Sequence, residues 1–114
     1  MKKLIFASLF LILGIFVVSA QNLPSITIVN NTGYPLVAVA LSPEEFDNWG
    51  DGDILGDVIL ENGQSFTYRL PYPLNKYNVY DFIAIDEDED AYYKWGVTVT
   101  NNARIVFVFD DIED

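Results

Sequence analysis

Residues 79–109, VYDFIAIDEDEDAYYKWGVTVTNNARIVFVF, decide how the rest of this 114-residue chain is read. Three apolar runs are separated by an acidic knot, Asp86-Glu87-Asp88-Glu89-Asp90, and by the pair Asn101-Asn102. Side chains alternate faces along a strand, so period-two patterning is the signal to follow. From Tyr92 to Thr100 the odd positions are Tyr93, Trp95, Val97 and Val99, and the even ones are mostly polar. That predicts a strand with one apolar face and Trp95 in the core. Arg104 to Phe109 is apolar on both faces, which predicts a central strand or a contact. Asparagine tolerates left-handed backbone, so Asn101-Asn102 predicts a tight hairpin turn. Val79 to Ile85 is a third β-rich run, and the acidic knot after it is polar enough and short enough to be a hairpin loop. The stretch as a whole predicts a three-strand antiparallel meander.

Working outward, Pro71-Tyr72-Pro73 stops the preceding strand, Gln64 to Leu70. Asn62-Gly63 joins that strand to Val58–Glu61, and Asn-Gly is a strong type I′ hairpin signal. Further upstream, Ser25–Asn30 alternates as a strand, Asn30 to Pro35 (NNTGYP) reads as a turn, and Leu36–Leu41 is apolar throughout, which suggests a central strand. Ser42-Pro43-Glu44-Glu45 carries the signature of a capped helix start, and Gly50-Asp51-Gly52-Asp53 ends it within two turns. The chain closes on an acidic tail, Asp110 to Asp114. Short, evenly spaced strands with turn signals predict an all-β fold. The expectation is a single small antiparallel β-sandwich of about seven strands, with one short helix after the second strand.

The N-terminus belongs to a different class. Lys2-Lys3 is a basic leader, and Leu4 to Val18 is apolar but shorter than a bilayer span. Val18-Ser19-Ala20 is a small-residue cleavage site. Residues 1–20 are therefore expected to be a signal peptide and residues 21–114 the β-sandwich domain, exported to the periplasm or the extracellular space. With no cysteine, that domain has no disulfide and must be held by its core alone. Its four basic residues, Arg69, Lys76, Lys94 and Arg104, face 17 acidic ones, a net charge of −13. Such a surface repels phosphate backbones and anionic lipid, which argues against nucleic-acid binding, and no membrane span is expected once the signal is cleaved.

The segments VNNTGYP, SPEEFDNWGDGDILGD, LENGQSF, YDFIAIDEDED and RIVFVFDD stand here in an order that resembles a group of small exported bacterial β domains of uncharacterised function. The resemblance spans nearly all of residues 21–114. It implies a shared scaffold and no activity, because its motifs are turns and core segments. Ala91 departs from it, standing after the acidic run where such sequences often carry glycine.

The chemistry is bounded by what is missing. Without histidine or cysteine, Ser–His–Asp and Cys–His catalysis and zinc sites built on those ligands are impossible. No phosphate-cradling glycine loop is present, and carboxylate pairs are expected by chance in so acidic a domain. The chain is therefore expected not to be an enzyme, and no cofactor is expected. Asp86, Asp88 and Asp90 have the alternate spacing of a calcium loop, the one metal candidate. Ala91 and Val97 stand where an EF-hand needs glycine and a bidentate acid, so the spacing is not that of an EF-hand. Asp51, Asp53, Gly56 and Asp57 match part of such a loop, but Leu55 and Asn62 break it. The plainer account is a solvated acidic turn that discourages edge pairing. Trp49, Tyr72, Tyr77 and Tyr92 are candidates for a sugar-stacking surface, against ordinary packing of β-forming aromatics. The leading expectation is a non-catalytic exported module, protein-binding or structural in the cell envelope. The alternative is a calcium- or carbohydrate-binding module.

Overall fold

The computed structural model describes residues 23–113, so the expected signal peptide and the start of the mature chain lie outside the described residues. The fold is all-β, with two sheets facing each other across a common core. The strands are β1 (Ser25–Asn31), β2 (Leu36–Pro43), β3 (Ser65–Arg69), β4 (Val79–Asp86), β5 (Ala91–Thr98), β6 (Ala103–Val108) and β7 (Ile112–Glu113). One sheet has the order β3-β1-β6 and the other β2-β4-β5-β7. Ile26, Ile28, Ile105 and Phe107 from the first sheet meet Leu36, Val39, Leu41, Tyr80, Phe82, Ala84 and Tyr92 from the second. Period-two alternation of apolar residues in β1 and β4 generates both inner faces directly. Among the described residues, no helix is long and apolar enough to cross a membrane.

The structure corrects the sequence expectation at four points. First, the stretch 79–109 is not a meander. β4 and β5 form the expected antiparallel hairpin, but β6 crosses to the other sheet and runs parallel to β1, from Ile26↔Ala103 to Asn31↔Val108. The sandwich is therefore antiparallel-rich rather than antiparallel, and β6 is an edge strand, not a central one. Asn101-Asn102 turns this crossover: Asn102 has φ +68°, Ser25 N–H donates to Asn101 Oδ1 and Asn102 N–H donates to the Ser25 carbonyl. The pair pins the start of β1.

Second, no helix follows β2. The cap-forming Ser42 is buried within the strand opposite Asp81, and its hydroxyl donates to the Asn48 carbonyl. Glu44 N–H donates to the Val79 carbonyl, so β2–β4 pairing overrides the local helix signal. Third, Leu36–Leu41 is apolar at every position, yet β2 lies at the end of its sheet. Its outer edge is capped by the following loop: Val39 N–H donates to Asp53 Oδ1, Ile54 N–H donates to the Val39 carbonyl, and Leu36 and Leu60 exchange two backbone bonds. A covered edge of this kind does not template further strands.

Fourth, Val58–Glu61 is not a strand. Only Leu60 bridges, so Asn62-Gly63 closes a turn rather than a hairpin. Gln64 N–H donates to the Glu61 carbonyl across it, Gly63 has φ +90° and Asn62 keeps a negative φ, which departs from type I′. This turn interlocks with the NNTG turn through buried Asn30. Asn30 Nδ2 donates to the Tyr34 and Leu60 carbonyls at 2.7 and 2.8 Å, and its Oδ1 accepts from Thr32 N–H and Thr32 Oγ1. One side chain thereby ties the turn at residues 30–34 to the loop at Leu60.

Candidate functional site

Two places deserve a chemical account: the acidic loop between β4 and β5, and the outer face of the four-stranded sheet.

The acidic loop is a tight connection. Asp86 N–H donates to the Asp90 carbonyl and Glu89 N–H to the Asp86 carbonyl, with Glu89 at φ +68°. Carboxylate oxygens of Asp86, Asp88 and Asp90 lie within 4.8 Å of one another. The three are not equivalent. Asp88 and Asp90 are exposed, whereas Asp86 is 1% exposed. Asp86 Oδ1 accepts from Asp88 N–H at 2.9 Å and Asp90 N–H at 3.0 Å, and Oδ2 accepts from the Tyr92 hydroxyl at 2.8 Å. Both oxygens are thus engaged by the protein itself. Burial raises the Tyr92 phenol to about 12, with the hydrogen bond to Asp86 and the Asp86 charge adding to the effect. A buried carboxylate bonded to a neutral donor and two amides is satisfied without a cation. The residues of the other acidic loop take structural parts instead. Asp53 Oδ1 accepts from Val39 N–H and Leu55 N–H.

The outer sheet face is built by a bulge. Between the pairs Tyr80↔Val97 and Phe82↔Lys94, the two residues Trp95 and Gly96 oppose the single residue Asp81. Gly96 takes φ +60°, and its N–H donates to Asp81 Oδ1 at 2.8 Å. The extra residue reverses the alternation, so Tyr92 points into the core and Tyr93 and Trp95 point out. Trp95, expected in the core, is 57% exposed, and Tyr92, expected on the polar face, is completely buried. Sequence reasoning missed Trp95 as a surface residue. The available signal was Gly96, since glycine inside a strand often marks a bulge.

Tyr93 and Trp95 stack with centroids 5.0 Å apart and planes 9° apart, and Trp49 leans on Trp95 at 5.9 Å. Tyr93 and Trp95 each turn one ring face to the other. A shallow cleft of about 200 Å³ beside them includes Asp47, Asn48 and Asp81. Trp95 Nε1–H points to Glu113 Oε2 at 3.4 Å. On the same sheet face, β2 and β4 present the half-buried Ala38, Ile83 and Ile85, while Ala40 is buried. The result is an apolar surface with an acidic rim.

Of the aromatic candidates, Trp49 therefore belongs to this face. Tyr72 and Tyr77 instead pack edge-to-face with each other and with Phe46, at 4.9–6.0 Å, and Lys76 Nζ lies 5.7 and 5.8 Å from the two tyrosine rings. Comparison with family models, with curated proteins and with solved structures finds no match to this chain.

Proposed function

We propose that this chain is a non-catalytic exported module that docks a basic protein surface in the cell envelope through the outer face of the four-stranded sheet. The carrying observation is Trp95. A tryptophan left 57% exposed costs solvation, and here it stands in a row with Tyr93 and Trp49 rather than alone. Aromatic anchors at the centre of a patch with polar groups at its rim are the usual anatomy of a protein interface. Asp47, Asp81 and Glu113 around the patch, and the acidic domain behind it, select a cationic partner.

The test uses residues 21–114 immobilised as bait in envelope extract, alongside the Trp95→Ser variant. The expected outcome is a basic protein held by the wild type, released by high salt and lost from the variant, whose melting temperature stays within a few degrees of wild type. Identical protein profiles on the two baits would overturn the proposal.

A further inference from the structure

The edges of the two sheets are not alike. β2 is covered by the loop after it, β3 shows exposed Ser65, Thr67 and Arg69, β7 is two residues long, and β5 is broken by its bulge. Such features discourage pairing with another chain. β6 is different. Ala103–Val108 (ARIVFV) has high β-propensity, one charge and neither proline nor glycine, the composition that adds strands readily.

The backbone shows which groups β6 leaves open. The Pro24 and Asn30 carbonyls accept from Leu70 and Gly63 N–H, on the β3 side of β1, whereas the Ser25 carbonyl accepts from Asn102 N–H, on the β6 side. Backbone groups alternate sides along a strand, so Thr27 and Val29 also face β6. Their register partners are Arg104 and Val106, and in a parallel ladder a facing residue bonds the two neighbours of its partner. Ala103, Ile105 and Phe107 are thus the residues bonded to β1, and the N–H and C=O groups of Arg104, Val106 and Val108 point away from it. Val108 N–H is closed by Asp111 Oδ2 at 2.9 Å. The backbone groups of Arg104 and Val106 have no partner on this side among the described residues.

We infer that this edge pairs with β6 of a second copy, antiparallel about a two-fold axis, joining two three-stranded sheets into one. Setting Val106 opposite Val106 of the second copy brings the open groups face to face. Two bonds form between the valines, and one runs from each Arg104 N–H to the Val108 carbonyl of the other copy. The charges select the direction. Among the described residues, the exposed Arg104 guanidinium and the exposed Asp110 carboxylate have neither an ion pair nor a hydrogen bond. Antiparallel pairing lays each Arg104 against Val108 of the other copy and beside its Asp110, an attraction made twice by symmetry. Parallel pairing would set Arg104 against Arg104. Exposed Phe109, with its ring centroid 6.1 Å from that of Tyr34, adds apolar surface at the same end of the strand. A contact one strand wide is small and both copies are strongly acidic, so the dimer belongs to the weak, concentration-dependent class. It uses the sheet opposite Trp95 and does not depend on that surface binding a protein.

Sedimentation velocity of residues 21–114, from low micromolar to millimolar concentration, reads the association. The wild type should pass from monomer to dimer across this range, and Trp95→Ser should behave like it. Arg104→Glu and Asp110→Lys each turn two attractions into repulsions at exposed positions and should weaken association about tenfold. An equimolar mixture of these two variants should restore it, because every 104–110 contact between unlike copies again joins opposite charges. Val106→Pro removes an outward N–H without touching the β1 ladder and should give a folded monomer. A wild type that stays monomeric throughout, a mixture no more associated than its components, a dimer kept by folded Val106→Pro, or a dimer lost in Trp95→Ser would each overturn the inference.

Discussion

Asp86→Ala separates a structural carboxylate from a calcium ligand. The substitution removes three hydrogen bonds at once. Two of the donors, the amides of Asp88 and Asp90, belong to exposed residues, so water replaces the carboxylate and each costs about 0.5–1 kcal/mol. The third donor, the Tyr92 hydroxyl, is on a fully buried side chain and would be stranded, at about 1–3 kcal/mol. The sum is on the order of 3 kcal/mol, a large part of the stability of a small domain without disulfides. It corresponds to a fall in melting temperature on the order of 15 °C. Asp86→Asn keeps the Oδ1 acceptor and should cost about 1 kcal/mol. A double-mutant cycle with Tyr92→Phe should return a coupling of about 1.5–3 kcal/mol, the range for a hydrogen bond to a charged group. The assay is urea unfolding followed by tryptophan fluorescence in EDTA, so that no divalent ion contributes. If Asp86→Ala leaves the midpoint in EDTA unchanged and destabilises only when calcium is present, the structural account of Asp86 is wrong.

Three further outcomes are expected. Calcium chloride and sodium chloride at matched ionic strength should raise the melting temperature equally, because Asp86 is already satisfied and only screening of Glu87 to Asp90 remains; a calcium-specific rise refutes this. Burial holds the phenols of Tyr80 and Tyr92 at about 12 against 10.0 for a free tyrosine, so the folded state keeps their protons more tightly. That stability is fully present below pH 10 and is lost as pH rises through 12, so urea midpoints should fall across this window, and less steeply in Tyr80→Phe/Tyr92→Phe. Asn30→Asp sets carboxylate oxygens against the Tyr34 and Leu60 carbonyls in a buried site, and should cost more than about 3 kcal/mol in thermal melting.

The fold was legible where one residue determines its own environment. Ile26 and Ile28 announce the inner face of β1, and Phe82 and Ala84 that of β4, because alternation is local. It was illegible where distant residues decide. Ser42-Pro43-Glu44-Glu45 has good helix chemistry, yet the bonds of Ser42 to Asn48 and Glu44 to Val79 keep this segment extended and then turned. The two-sided apolarity of β6 is real, but whether such a strand sits in a sheet's middle or at its edge depends on the order of all its neighbours. The candidate site divides in the same way. The Asp86, Asp88, Asp90 spacing is visible in the sequence, whereas the burial of Asp86 against Tyr92 follows from the bulge at Trp95-Gly96, which fixes the face that Tyr92 occupies.

The parallel pairing of β1 with β6 has a consequence for how the chain acquires its structure. Ile26 has to find Ala103, and Asn31 has to find Val108, across most of the domain. Closing so long a loop costs chain entropy before any contact offsets it, so folding is expected to be slow and late rather than progressive. On the ribosome, β2, β4 and β5 can associate as soon as they emerge. The sheet that begins with β1 has no third strand until Val108 has been made. A nascent chain of this topology therefore stays incompletely folded, with one face of its core uncovered, until Val108 has been made.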